Sequence, residues 1–306
     1  MRWLRNIIIY SSFGLFLQSC DTKPAHPDTV ESGTIDISAD ESFQPVIDEE
    51  LRLFDSDKLN AHVNIHYKPE AECIKDFVDG KSKLILVTRD LTKDEKEAFE
   101  QKKVWTSTRA LAREGIAVIL NTEAVDTFLD KDALRGILTG VYKKKFTAVF
   151  DNQESSTVRY ITDSILKGGK LGSNVFAAKG SKEVVDYVIK NPEAIGFVGL
   201  GYVSDNNDPG NTGSFIKTVR VAAIQNDSTG EFLQPYQAYI ALKSYPLTRT
   251  LYSINSESYR GLATGFEGFL TSQRGQLIFF HDHLFPVISE MVIRQAEVNN
   301  SSSSPQ

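Results

Sequence analysis

One segment constrains this chain most: a short apolar strand leads into a cluster of hydroxyl residues and then directly into a helix. In residues 147–166, TAVFDNQESSTVRYITDSIL, apolar residues first crowd together and then recur at helical spacing. Ser155, Ser156 and Thr157 fall at the predicted helix N-terminus, where backbone N–H groups have no helical partner and carry partial positive charge. Such an end binds an anion or is simply capped by its own hydroxyls, and this segment alone leaves both interpretations open.

A second segment near the start of the folded region has the same order. In residues 34–54, TIDISADESFQPVIDEELRLF, a strand is followed by Asp40, Glu41 and Ser42 and then by a helix with proline in its first turn, where proline is tolerated. Two strand-to-helix turns of this kind, far apart in the sequence, predict two lobes that close on one small anion.

The N-terminal residues have the pattern of a secretory signal. Two arginines in the first five residues precede an apolar stretch, residues 7–17, that is too short to span a bilayer comfortably. Residues 17–20, LQSC, resemble a lipobox, the motif in which the cysteine is lipidated and becomes the first residue of the mature chain. The glutamine is a less usual residue there, and a cleaved signal without lipid is the alternative.

These features predict the boundaries of the segments at the two ends of the chain. We expect residues 1–19 to be a lipoprotein signal peptide and the lipidated Cys20 to begin a flexible tether over residues 20–32. The second cysteine, Cys73, then has no partner for a disulfide, and the helical pattern around it predicts a buried thiol. The serine-rich tail, residues 296–306, is expected to be disordered.

Composition excludes some partners. The formal net charge is -6, and the short basic run at 143–145 is typical of a solvated turn, so no nucleic-acid partner is expected. An acidic chain can still bind an anion, because local N–H dipoles rather than net charge determine such a site. The length of 306 residues and the 41% hydrophobic content are sufficient for one large or two medium domains.

Strand and helix patterns alternate between the tether and the tail, which predicts a parallel α/β architecture. Residues 115–121, GIAVILN, form a near-continuous apolar run. Such a run is typical of a buried strand or of a strand that crosses between lobes.

Six segments then occur in a characteristic order: REGIAVILN, LRGILTG, SST at a helix start, NPEAIGFVG, YPLTRTLY and GFEGFLTSQRGQ. In this order they resemble the phosphate-binding components of bacterial ABC importers, the PstS-like branch of the type 2 periplasmic binding proteins. The resemblance covers essentially all of residues 33–290, and residues 245–252, YPLTRTLY, are its most distinctive part.

The resemblance implies an α/β fold with two lobes, each built on a mixed sheet flanked by helices, and two crossing strands between them. Lobe 1 would comprise residues 33–115 and 245–295, and lobe 2 residues 116–244. The resemblance also implies a monomeric, lipid-anchored solute-binding protein at the periplasmic face of a bacterial membrane. Such a protein captures inorganic phosphate between its lobes and delivers it to an ABC permease.

The sequence leaves two alternatives to this function open. A sensor or adhesin can use the same fold without transport, and the ligand can be another tetrahedral oxyanion. An enzyme is not expected, because the chain has no GxSxG, HExxH or GxxxxGK[ST] motif. We also expect no cofactor and no metal.

The family's binding residues map onto this chain with two departures. Ser155, Ser156 and Thr157 match a Ser-Gly-Thr motif, with Ser156 in place of the glycine, and Asp151 stands where the family has an arginine. In the first lobe, Thr88 and Arg89 stand where a Ser-Asp pair is implied. The expected phosphate-binding residues are therefore Asp40, Ser42, Thr88, Arg89, Asp151, Asn152, Ser155, Ser156 and Thr157.

Both departures change a charge, so we hypothesise an exchange between the lobes. Arg89 would supply the cation from lobe 1, and Asp151 would supply an acceptor from lobe 2. An aspartate suits hydrogen phosphate, whose proton needs an acceptor, and repels fully ionised sulfate. The alternative is that Arg89 and Asp151 are ordinary surface charges and that the pocket binds another ligand.

Overall fold

The computed structural model describes residues 26–205 and 214–287 of the chain. The predictions for residues 1–19, for Cys20 and for residues 296–306 lie outside the described residues. Among the described residues, no helix combines the length and the apolar character that crossing a bilayer requires.

Strands and helices alternate through most of these ranges, as the sequence predicts. The strands are β1 (Gly33–Asp40), β2 (Ala61–Lys68), β3 (Leu84–Val87), β4 (Ser107–Leu120), β5 (Phe128–Leu129), β6 (Thr147–Phe150), β7 (Val175–Ala177), β8 (Ala194–Gly199), β9 (Arg220–Val221), β10 (Ala223–Gln225), β11 (Phe232–Leu233), β12 (Thr248–Asn255) and β13 (Phe285–Pro286). The helices are α1 (Gln44–Asp57), α2 (Glu70–Val78), α3 (Lys93–Gln101), α4 (Lys131–Thr139), α5 (Ser156–Ile161), α6 (Ser181–Lys190), α7 (Gln237–Ala241), α8 (Leu262–Leu270) and α9 (Gln273–His281).

Most of the strands form one mixed sheet. Its order is β2-β1-β3-β12-β4-β8-β6-β7, and β9 and β13 also pair with β4. The pairs β1–β2, β1–β3, β6–β7 and β6–β8 are parallel, whereas β12 is antiparallel to both β3 and β4. A second, three-stranded sheet has the order β11-β10-β5. The predicted α/β fold is confirmed.

Strand β4 joins the two halves of the large sheet. Residues 107–115 pair with β12, and residues 116–120 pair with β8. The returning chain lies beside this point, because the N–H of Ile116 donates to the carbonyl of Leu247 at 2.8 Å. The apolar run GIAVILN is therefore a crossing strand. Because both halves share β4, the two sheets that the sequence resemblance implies form one continuous sheet.

We call the half formed by β1, β2, β3 and β12 lobe 1, and the half formed by β6, β7 and β8 lobe 2. Each half has its own apolar core, around Ile37 and Phe266 in lobe 1 and around Phe150 and Phe197 in lobe 2. Two separate cores fit a two-lobed chain. The exact boundaries, residues 33–115 with 245–295 and residues 116–244, stay predictions.

Cys73 is fully buried on α2 and unpaired, as the sequence predicts. Burial raises the pKa of its thiol. A buried, protonated thiol is a packing residue rather than a nucleophile.

Candidate functional site

The turn after β1 forms the first wall of the candidate site. Asp40 Oδ1 accepts hydrogen bonds from the N–H and the hydroxyl of Ser42, at 3.0 and 2.9 Å, and both residues are buried. Asp40 Oδ2 has no hydrogen-bond partner among the described residues. Burial raises the pKa of Asp40, against the opposing effect of the positive charge of Arg249. This wall therefore presents a carboxyl oxygen that can still accept or share a proton.

The turn after β6 forms the second wall. The hydroxyl of Ser155 donates to Asp151 Oδ1 at 2.5 Å and accepts from the N–H of Val158 at 3.2 Å, so Ser155 caps α5. The hydroxyl of Thr157 donates to Asp151 Oδ2 at 3.3 Å. Burial raises the pKa of Asp151 to about 7.

Backbone donors at this second wall are free for a ligand. Among the described residues, the N–H groups of Ser156 and Thr157 have no acceptor. Both residues are fully buried at the first turn of the helix, where the peptide dipoles favour negative charge.

The two walls meet at one arginine from the returning strand β12. Arg249 Nη2 donates to the hydroxyl oxygen of Ser42 at 2.9 Å, and Nη1 donates to that of Ser156 at 2.7 Å. A longer contact of 3.4 Å reaches Thr157 Oγ1. The guanidinium also stacks over the ring of Phe43, 4.7 Å from its centroid. The structure thus brings the two predicted turns together through a residue that sequence reasoning missed.

Glu114 on β4 balances the charge of this arginine. Its Oε2 accepts from Arg249 Nε at 2.9 Å and from Nη2 at 2.7 Å, and its Oε1 accepts from the N–H of Leu200 at 2.9 Å. Both side chains are 1% exposed. Burial raises the pKa of Glu114, although the charge of Arg249 acts to lower it. A buried pair of this kind is costly to break, because removal of one partner leaves an uncompensated charge.

A cavity of about 80 Å³ opens between the walls. Asp40, Glu41 and Lys68 line it from lobe 1, and Asp151, Asn152, Ser155 and Lys179 line it from lobe 2. The buried residues Ser42, Ser156, Thr157 and Arg249 are not part of this lining. Larger hollows, of about 330 to 410 Å³, are lined by other residues and do not join the two turns.

Two contacts between the lobes flank this cavity. On one side, the carboxylate of Glu41 accepts from the N–H and the hydroxyl of Ser181, at 3.0 and 2.9 Å, and from the hydroxyl of Tyr202 at 2.8 Å. Close by, a Cβ atom at Gly199 would lie 2.3 Å from the carbonyl oxygen of Ser42. Only glycine fits there without displacing one of the lobes.

On the other side, Glu70 binds both lobes. Glu70 Oε1 accepts from the N–H and the hydroxyl of Thr88, each at 2.7 Å, and Glu70 Oε2 accepts from Arg159 Nε at 2.6 Å. Arg159 Nη2 also donates to Thr88 Oγ1 at 2.8 Å. Burial acts to raise the pKa of Glu70, but the hydrogen bonds and charge of Arg159 hold it below its usual value.

Arg89 lies elsewhere. Its guanidinium donates to both carboxylate oxygens of Glu95, at 2.8 Å each, and to the carbonyl of Asp90. It is not among the residues that line the cavity. The structure does not bring Arg89 and Asp151 together, and the hypothesis that they exchange roles stays a prediction.

Arg249 had a signal in the sequence. It stands two residues before Leu251 on β12, and the alternation of a strand places both on the same buried face. An arginine in phase with buried apolar residues needs a charged partner, and Glu114 supplies it.

Comparisons with known proteins agree with this architecture. A family model described as the PBP superfamily domain matches residues 24–274. The chain belongs to the PBP superfamily. The fold family implied by the sequence resemblance is therefore confirmed.

Individual relatives are distant. The phosphate-binding protein PstS of Staphylococcus saprophyticus is 22% identical over 240 residues, which are 74% of this chain and 71% of the relative. A protein from Clostridium perfringens crystallised with bound phosphate has a TM-score of 0.70 at 22% identity, over 83% of this chain and 100% of that chain. An ABC-type phosphate transport receptor from Vibrio cholerae has a TM-score of 0.63 at 19% identity, over the same shares. At this identity the structural likeness shows the fold alone.

Proposed function

We propose that this protein is a solute-binding protein that captures inorganic phosphate between its two lobes. The observation that carries the proposal is the convergence of Ser42 from lobe 1 and Ser156 from lobe 2 on the buried guanidinium of Arg249. Relatives of the chain are named for phosphate binding and phosphate transport, which supports the same ligand. None of these names denotes an enzyme, in agreement with the expectation that the chain is a binding protein.

The site has donors for the oxygens of the anion. The N–H groups of Ser156 and Thr157 lie at a helix start, and the hydroxyl of Thr157 becomes a further donor when it leaves Asp151 for the anion. Arg249 keeps its two hydrogen bonds to Glu114 while its other N–H groups exchange hydroxyl partners for phosphate oxygens. The arginine then binds both the carboxylate and the ligand.

The two aspartates select for a ligand that carries a proton. Asp40 Oδ2 is an unpartnered acceptor, and Asp151, whose burial raises its pKa to about 7, accepts or donates according to its protonation. Hydrogen phosphate can supply or accept the shared proton. Sulfate has no proton at neutral pH, so two carboxyl groups beside it disfavour it.

Transport and anchoring form the finer part of the proposal. We propose that Cys20 is lipidated, that the protein faces the periplasm and that it delivers phosphate to an ABC permease as a monomer. The LQSC motif supports the lipid anchor, and the Vibrio cholerae neighbour, named as an ABC-type transport receptor, supports the permease as partner.

Isothermal titration of the chain from Asp21 onward with phosphate, sulfate and molybdate tests the ligand. Phosphate is expected to bind most tightly, and Asp151→Asn is expected to weaken phosphate more than sulfate. Absence of heat with all three anions, or tighter binding of sulfate than of phosphate, would overturn the proposal. Globomycin treatment of producing cells, followed by mass analysis of the N-terminus, tests lipidation of Cys20 separately.

A further inference from the structure

The end of lobe 1 opposite the candidate site gathers several loops. Strands β1, β2 and β3 are parallel, and β4 runs parallel to β3 because both are antiparallel to β12. The site lies at the carboxyl end of β1, and the amino ends of β1 and β2 lie about 25 Å from it, the length of an eight-residue strand. Strands β3 and β4 begin nearer to the site, level with Ile37, about 10 Å along β1 from Asp40. We call this end the base of lobe 1, formed by residues 26–33, 58–60, 79–83, 102–106 and 256–260.

Side chains fix these loops to one another and to the start of the described chain. His26 stacks on Tyr259, with ring centroids 3.8 Å apart, and the hydroxyl of Tyr259 donates to Asp28 at 2.7 Å. Lys83 Nζ donates to the same tyrosine at 3.3 Å, and Lys102 Nζ donates to the carbonyl of Val78 at 3.1 Å. The chain therefore enters the fold at the base.

The base exposes two large apolar side chains. Trp105 is 89% exposed, more than any other large apolar residue that the structure describes, and Leu59 is 80% exposed. Both stand in loops, and neither contributes to a core cluster. Tryptophan is enriched where a membrane meets water, because its ring is apolar and its N–H can stay hydrated.

Basic residues accompany the tryptophan. Lys83, Lys102 and Lys103 are exposed, and none of them forms an ion pair with a carboxylate in the described part of the chain. Two acids of the base are ion-paired, Asp79 with Lys81 and Glu31 with Lys58, whereas Asp28 and Glu257 have no ion pair among the described residues. The base has six lysines and arginines against four acids. This small positive excess is complementary to an anionic surface.

The part of the predicted tether that precedes His26 limits how far the base can lie from the bilayer. Cys20 precedes His26 by six residues, which span at most about 20 Å when fully extended. A lipid on Cys20 would hold the base within that distance of the headgroups. This step rests on the proposed lipidation of Cys20.

We propose that the base of lobe 1 is a docking surface for a bilayer with anionic headgroups. Trp105 enters the headgroup region, and Lys83, Lys102 and Lys103 contact lipid phosphates. In this docked state the candidate site, at the other end of the strands, is held away from the bilayer, so delivery to a permease in the same membrane requires the base to leave the headgroups.

Tryptophan fluorescence can test this surface directly. The sequence has two tryptophans, Trp3 and Trp105, and Trp3 lies in the predicted signal peptide that is removed when Cys20 becomes the first residue. In the mature lipidated chain, all tryptophan emission therefore comes from Trp105. The chain is reconstituted into phosphatidylcholine vesicles with or without phosphatidylglycerol, some of them carrying bromine on the acyl chains. We expect the emission to shift to the blue and to be quenched by the brominated lipids, most strongly when phosphatidylglycerol is present.

Charge reversal gives the matched comparison. Each lysine near an anionic surface strengthens attraction about fivefold, so Lys102→Glu with Lys103→Glu should reduce the docked-to-undocked ratio at least about tenfold. The control pair is Lys143→Glu with Lys145→Glu. These exposed lysines precede β6 and lie at the end of lobe 2 opposite the site, so the same charge change there should leave Trp105 quenched.

Three results would overturn the proposal: a chain that does not sediment with the vesicles, an unquenched Trp105 in a chain that does, or an equal loss in both charge-reversed pairs. Phosphate titration of the same vesicles keeps the two proposals apart. If phosphate binds while Trp105 stays exposed to water, the docking proposal fails and the proposed ligand stands. If Trp105 is docked but phosphate does not bind, docking is supported and the proposed ligand fails.

Discussion

The two walls of the site have the same sequence order but hold their aspartates differently. Asp40 uses one carboxyl oxygen to accept from Ser42 and leaves the other without a partner among the described residues. Both oxygens of Asp151 accept hydrogen bonds, from Ser155 and from Thr157. Burial raises the pKa of each acid, so the difference lies in hydrogen-bonding capacity. The lobe 1 wall offers a vacant acceptor, and the lobe 2 wall offers donors arranged around an acid that titrates near neutral pH.

The largest expected effect removes the residue that both walls share. Arg249→Ala leaves Glu114 buried without its counter-ion and should lower the free energy of unfolding by about 3 to 5 kcal/mol. Urea denaturation measures this loss. The control is Arg274→Ala, because Arg274 pairs with Asp57 at the surface and should cost less than about 1 kcal/mol. If the two variants lose equal stability, Arg249 does not tie the walls together.

A second prediction concerns the titration of Asp151. Burial raises the pKa of Asp151 from an ordinary value of 3.8 to about 7 in the folded protein. The folded state therefore holds a proton that the unfolded state releases between these values, and stability falls as pH rises through this window. A shift of about three units corresponds to at most about 4 kcal/mol.

Asp151→Asn removes this titration, so its free energy of unfolding should depend less on pH between about 4 and 7 than that of the native chain. Denaturation at several pH values measures the difference. Burial raises the pKa of Asp282 to about 6, but this residue titrates in both proteins, so its contribution cancels in the difference between their pH slopes. Identical pH slopes would show that Asp151 does not hold the proton.

The third prediction compares the hydroxyls of the two walls. Thr157→Ala should weaken phosphate binding by about 1.5 to 3 kcal/mol, because a donor to a charged ligand is lost, and Ser42→Ala on the opposite wall should have a similar cost. Titration calorimetry measures both. Thr271→Ala is the control, since that hydroxyl bonds only to carbonyls of its own helix. If one wall responds and the other does not, the ligand contacts a single lobe.

The smallest effect is expected at Arg89. Because its guanidinium is held by Glu95 and lies outside the cavity lining, Arg89→Ala should leave the affinity for phosphate and sulfate nearly unchanged. The loss of this partly buried pair, whose side chains are 25% and 22% exposed, should cost about 1 kcal/mol of stability. Weaker binding of both anions would instead support the exchange between Arg89 and Asp151.

Local patterns explain what the sequence could predict. Each turn is a strand end followed by hydroxyl residues and a helix start, and these features depend on neighbours within a few residues. The ion pair between Arg89 and Glu95 also depends on residues that are close in the sequence. Thr92 and Glu95 form a capping box, which places the Glu95 carboxylate beside the turn that contains Arg89.

The role of Arg249 depends on distant residues. Its partners on the two walls, Ser42 and Ser156, are 207 and 93 residues away in the sequence. Strand alternation places its side chain on the buried face of β12, but it does not tell which residues the side chain meets there. That contact requires the pairing of β12 with β4, which one sequence without its fold does not specify.

The two lobes approach each other closely at Gly199, so a larger residue at this position would increase the distance between them. Its φ of -62° is open to every residue, so the carbonyl oxygen of Ser42, 2.3 Å from where a Cβ would lie, sets the limit rather than backbone conformation. A series from glycine to alanine to valine would hold the lobes progressively further apart, and it would also press on Glu114 Oε1, which lies 2.9 Å from the same Cβ position. Substitutions at this one position could then adjust the concentration range over which a phosphate biosensor responds.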